Sequence, residues 1–153
     1  VAIAAAGGVE VLVALARDGT KGQKVRAAGT LWNLAINDDN KAAIAAAGGI
    51  ELFVAMARDG TEAHKENAAG TLATLAINHD NRVAIAAAGG VEVLVSLARD
   101  GNEAQKERAA GALANLAMND DNSVAIAAAG GIEVLVSLAR DGSEAQKGEA
   151  AGA

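Results

Sequence analysis

A ten-residue segment returns four times at a fixed step, and this periodicity limits the possible folds more than any other feature of the chain. The copies VAIAAAGGVE, AAIAAAGGIE, VAIAAAGGVE and VAIAAAGGIE carry their isoleucines at Ile3, Ile44, Ile85 and Ile126, 41 residues apart with no insertion. The tripeptide Arg-Asp-Gly recurs in the same register, at residues 17–19, 58–60, 99–101 and 140–142. A fixed period of this length marks a stack of like units. One unit of about 41 residues cannot bury its own apolar faces, so its neighbours must do so, and stability resides in nearest-neighbour contacts. The chain therefore reads as a single array of units at about 1–40, 41–81, 82–122 and 123–153, the first and last incomplete.

Within residues 41–81 the glycines divide the unit into three helices. A short first helix is expected from about Lys41 to Ala47, capped by Asp39 or Asn40 and closed by Gly48-Gly49, because glycine accepts the left-handed conformation just past a helix end. The second helix is expected from about Ile50 to Asp59, stopping at Gly60; Glu51 in its first turn and Arg58 in its last suit the macrodipole. Its only solvent stripe is Glu51, Ala55 and Arg58. The third and longest helix is expected from Thr61 to about Ile77. Capping-box spacing appears at Thr20/Gln23, Asn102/Gln105 and Ser143/Gln146, with His64 in the glutamine's place in the second unit. Ala69, Leu72, Leu75 and Ala76 form its apolar stripe. Gly29, Gly70, Gly111 and Gly152 fall inside the third helices, where glycine costs about 1 kcal/mol against alanine. Their recurrence argues for close packing or an open surface there.

Composition closes off several function classes. Apolar residues make up 52% of the chain, with one Phe and one Trp, so the core is built of small aliphatic side chains. That suits helix axes about 8–10 Å apart. The net charge of −6 is scattered, leaving no block that would read as a nucleic-acid or membrane footprint and a weak preference for basic partners. With no Cys, disulfides and Cys-based zinc sites are impossible, which fits an intracellular, cytoplasmic or nuclear setting. The longest apolar run, Val1 to Ala16, is interrupted by Gly7-Gly8 and Glu10 and lacks both the roughly 20 apolar residues of a membrane span and the cationic start of a signal peptide. A first residue other than Met suggests a piece of a longer chain.

No reactive constellation is visible. His64 and His79 stand 15 residues apart with no ligand at metal spacing. The acidic turns Asp38-Asp39-Asn40, Asp80-Asn81 and Asp120-Asp121-Asn122 lack the alternation of a calcium loop and read as helix caps. The Gly-Gly breaks lack the Gly-Lys-Ser/Thr of a phosphate loop. No catalytic role and no cofactor are expected.

The lines AIAAAGGIE-LV-LARDG and QK--AAGAL-NLA-N, over the whole chain, resemble the armadillo repeat. A HEAT-type unit normally has two helices and no Gly-Gly break. The resemblance implies an all-α, right-handed superhelical α-solenoid with three helices per repeat. It also implies a concave groove lined by the third helices, where extended segments of partner chains bind. An Asn near the end of each third helix often contacts the partner's main chain; that place falls on Asn33 and Asn115, with Thr74 between, and the fourth unit ends before reaching it. A carboxamide offers a donor and an acceptor, enough for both polar groups of one peptide unit. An extended strand advances about 6.6 Å per two residues, so two partner residues per repeat are expected. Asn inside a helix has poor propensity, which favours a role for these two.

Where groove-forming relatives that hold basic nuclear-import signals carry a Trp, one turn before the Asn, this chain has Gly29, Gly70 and Gly111, which argues against that ligand. One turn further back stand Arg26, Asn67, Arg108 and Glu149, mixed in sign. Asn37, Asn78 and Asn119 read equally as partner contacts or as caps. Trp32, where other units have Ala73 and Ala114, is either a groove hot spot or packing between repeats. The expected function is thus a protein–protein interaction scaffold. Two alternatives stay open: a structural element whose cut end faces associate head to tail, and an engineered or consensus-derived scaffold, against which the drift at Lys21-Gly22 and Glu62-Ala63 argues.

Overall fold

The computed structural model describes residues 7–153. The short helix expected at the start of the first unit, with Ile3, lies outside the described residues. Among those described there are eleven helices and no strand: α1 Gly8–Asp18, α2 Lys21–Leu34, α3 Asp38–Ala46, α4 Gly49–Asp59, α5 Glu62–Leu75, α6 His79–Ala87, α7 Gly90–Asp100, α8 Glu103–Leu116, α9 Asp120–Ala128, α10 Gly131–Asp141 and α11 Glu144–Gly152. The units are α1–α2, α3–α5, α6–α8 and α9–α11. No single described helix is long and apolar enough to cross a membrane.

The two glycines of each break do different work. Gly48, Gly89 and Gly130 have φ of 79°, 80° and 77°, the left-handed conformation that turns the chain by 79–84° between the short helix and the second. Gly49, by contrast, is needed for space: a Cβ there would lie 2.5 Å from Ile44 Cγ2 and 2.7 Å from its carbonyl oxygen. Ile44 is fully buried against that bare backbone.

The caps correct one expectation. Asn37, not Asp39 or Asn40, caps α3: it holds extended backbone, and its Oδ1 accepts the Asn40 N–H at 3.3 Å. Asn78 and Asn119 do the same for α6 and α9, each at 3.1 Å. Asn40 is instead drawn inside, donating to the Leu34 carbonyl at 2.9 Å, which also accepts the Asn37 N–H at 3.2 Å at the end of α2. Asn81 closes Leu75 in the same way, at 3.2 Å. The third helices are also shorter than expected. Thr61 is the N-cap of α5 rather than its first residue, and α5 ends at Leu75. All four capping boxes form, including the one in which the Thr61 N–H donates to His64 Nδ1 at 3.3 Å.

Each second helix packs on its own third helix, while α2, α5, α8 and α11 pack on one another in succession. Ala69, Leu72, Leu75 and Ala76 are fully buried, as expected. The second helix is apolar along two edges. Ile50 and Val54 in α4, like Val91 and Val95 in α7, are almost completely buried at the seam with the following unit. Their counterparts in α10, Ile132 and Val136, are 52% and 49% exposed. The core is thus a row of seams between units.

A polar tie crosses two of those seams. Gln105 Nε2 donates to the backbone oxygen of Glu62 at 3.1 Å and to its carboxylate at 2.7 Å. Gln146 makes the same pair with Glu103, at 3.1 and 2.7 Å. At the first seam the pair is His64 and Lys21, and the tie is broken. His64 Nδ1 is the capping acceptor, so Nε2 carries the proton, and that buried N–H has no partner among the described residues. Burial pushes the imidazole pKa below 6.5, helped by the positive charges of Lys24 and Lys21. Arg17 lines the same recess, and Asp59 is the carboxylate there.

A group with a lowered pKa in the folded state contributes fully above its unfolded value and loses that contribution as pH falls. Below about pH 6.5, protonation of His64 therefore opposes folding. Installing the pair used at the other seams, Lys21→Glu with His64→Gln, should raise stability by on the order of 1 kcal/mol. It should also flatten the fall in thermal midpoint between pH 7 and pH 5, both read by circular dichroism. An unchanged midpoint and an unchanged pH profile would show that this position does not hold the seam.

Candidate functional site

Because α2, α5 and α8 stack in register, Asn33, Thr74 and Asn115 come to lie on successive rungs of one face, as do Arg26, Asn67 and Arg108. The three do not stand alike. Asn33 is exposed, and its side chain makes no hydrogen bond among the described residues. Thr74 donates its hydroxyl to Gly70 O of its own helix at 3.0 Å. Asn115 reaches across the seam, Nδ2 donating to Ala73 O at 2.8 Å, which leaves one N–H and Oδ1 for other contacts.

A recess of about 180 Å³ opens between α5, α8 and α11, bringing together Thr74, Ile77, Glu107, Arg108, Gly111, Asn115 and Glu149. Among the described residues no group of His, Asp or Glu converges as a metal site. Arg26, an expected groove residue, is exposed; Asn67 is half-buried. Neither lines the recess.

The glycines of the third helices prove individual. A Cβ on Gly29 would meet nothing within 4 Å, so that surface is open. On Gly70 it would lie 2.9 Å from Trp32 Cζ2, and on Gly111 2.9 Å from Glu149 Oε2. Trp32 thus packs from the first unit across Gly70 of the second, and the guanidinium of Arg108, from the third, lies 4.8 Å from its ring centroid. A cation over an indole is worth about 0.5–1 kcal/mol at an exposed site. The aromatic missing at position 70 is therefore supplied in space by a neighbour, a substitution that the sequence hides because the Trp stands in another unit and three places further along its helix. Of the two roles expected for Trp32, the contacts with Gly70 and Arg108 give packing between repeats.

Sequence reasoning missed Ile36, Ile77 and Met118. They are 72%, 55% and 67% exposed, at the same 41-residue step, just past the ends of α2, α5 and α8. The signal was present as an apolar column at a place where a helix end meets water.

The armadillo/β-catenin-like repeat pattern matches residues 37–77 and 78–118, more than half of the chain. The chain belongs to the armadillo-repeat family. The matched units begin at Asn37 and Asn78, the caps of α3 and α6. Among solved structures this armadillo array is similar to two engineered proteins from a structural genomics consortium, each 38% identical with a TM-score of 0.94. Both cover 99% of this chain, which spans 62% and 38% of theirs. A designed armadillo repeat protein in complex with the peptide (KR)4 is 27% identical with a TM-score of 0.93, over 99% of this chain and 64% of its own. No curated protein matches.

The contrast among the glycines makes a direct test. Gly29→Ala should stabilise the array by roughly 0.5–1 kcal/mol and leave the emission of the only Trp unchanged. Gly70→Ala should displace the indole, shift that emission to the red and gain less stability. Equal gains with unaltered fluorescence would refute the packing of Trp32 on Gly70.

Proposed function

We propose that this armadillo array is a non-catalytic interaction module that holds an extended protein or peptide segment along the face of α2, α5, α8 and α11. The observation that carries the reading is the register of Asn33, Thr74 and Asn115 on stacked third helices, two of them opening into one recess. Polar side chains repeated at the pitch of the units suit a ligand that also repeats, namely an extended backbone. The designed relative in complex with (KR)4, and another described as made for modular peptide recognition, support it. The net charge of −6 favours a basic partner, with no nucleic acid or membrane as ligand. The absence of Cys suits a cytoplasmic or nuclear setting.

A second reading, an engineered array, is favoured by the 38% identity to engineered proteins. It concerns origin and leaves the groove reading unchanged.

Asn33 and Asn115 separate binding from folding. Asn33→Ala removes no side-chain bond and should leave the thermal midpoint unchanged or slightly raised, alanine being the better helix former, while weakening binding of (KR)4 by about 2- to 10-fold in fluorescence anisotropy. Asn115→Ala should weaken binding and also lower the midpoint, through loss of the Ala73 bond. If Asn33→Ala binds as well as the parent chain, the groove assignment fails.

A further inference from the structure

Three large apolar side chains stand in water on the wall of the proposed groove, at the same place in each unit. The backbone N–H groups of Ile36, Ile77 and Met118 donate to the carbonyls of Asn33, Thr74 and Asn115 at 3.5, 3.4 and 3.3 Å, a tight turn continuing each third helix. Residues three apart on such a turn lie on one side. Each apolar side chain is thereby fixed next to the Asn or Thr expected to hold a partner's backbone, and Ile77 shares the recess with Thr74 and Asn115. A lone exposed aliphatic residue is ordinary; a row of them at the pitch of the fold marks a contact surface.

The opposite wall is charged. Glu107 lies eleven residues before Met118 on the same rung, so the two walls are about 16 Å apart along the helix. The recess holds two carboxylates, Glu107 and Glu149, against one cation, Arg108, whose guanidinium already lies over Trp32. A segment crossing the third helices sends alternate side chains to opposite walls.

Resting on the groove reading, we infer that the partner is an extended segment in which aliphatic residues alternate with lysine or arginine, the aliphatic ones on Ile36, Ile77 and Met118 and the cations toward Glu107 and Glu149. An all-cationic ligand leaves the apolar row uncovered, and an all-apolar one leaves the carboxylates without a counter-charge.

The experiment compares three capped octapeptides by fluorescence anisotropy: (Val-Lys)4, a block peptide of four valines followed by four lysines, and (KR)4. The (Val-Lys)4 peptide should bind at least about fivefold more tightly than either of the others. Ile77→Ser with Met118→Ser should abolish that preference, so that (Val-Lys)4 binds no more tightly than (KR)4. As both side chains are exposed, a thermal melt serves to confirm that the variant folds. Equal or tighter binding of (KR)4 or the block peptide, or a preference that survives the serine substitutions, overturns the inference. Asn33→Ala distinguishes the two failures. If it weakens (KR)4 but the serines change nothing, only the apolar row is wrong; if it weakens no peptide, or no peptide binds, the groove itself is wrong and this inference falls with it.

Discussion

Each second helix carries two apolar edges on eleven residues, and its own unit covers neither of them completely. Leu52 and Met56 lie on one edge of α4, Ile50 and Val54 on the other, and all four are buried only because the units before and after close over them. From this constraint the rest follows. Units must stack, they must stack in one direction, and the chain must turn by about 80° between short and second helices to bring each new unit into line. The third helices, tied to the second within each unit, are carried into a stack of their own. The face they present is a by-product of burial at the seams, and its pitch is the pitch of the seams.

Specificity between units is set by polar contacts. The Gln–Glu ties at two seams satisfy a buried amide and fix one unit against the next in translation, which apolar packing alone does weakly. Asn115 adds a tie on the other side of the third helices. The first seam departs from this scheme at His64 and Lys21, and the buried unpaired N–H there is what that departure leaves.

Much of this was legible because the repeat does the averaging that a single unit cannot. Four copies of Gly-Gly and Arg-Asp-Gly located the breaks to within a few residues, and the capping pairs at Thr20, Asn102 and Ser143 marked the third helices. The short helices were placed late because their signal is ambiguous. Asn37 and Asn40 are both plausible caps, and only the packing of Asn40 against the end of α2 decides between them. The site was less legible than the fold, for two physical reasons. Contacts between units join residues about 40 places apart, as with Trp32 over Gly70, so no local pattern announces them. And exposure is a property of the assembled stack: Ile77 and Leu75 look alike in sequence, yet one is in water and the other fully buried.

The central claim is that the third helices of successive units lie side by side at a constant spacing. The absence of Cys makes it directly measurable, since two cysteines introduced at Ile36 and Met118 can be spin-labelled without side reactions. Two seams of about 10 Å each place those backbones roughly 20 Å apart. Pulsed electron–electron double resonance should return a single narrow distribution near that distance, widened only by the label linkers. A broad distribution, or a mean well beyond about 30 Å on the same spacing, would show the long helices fanning apart and would contradict the account.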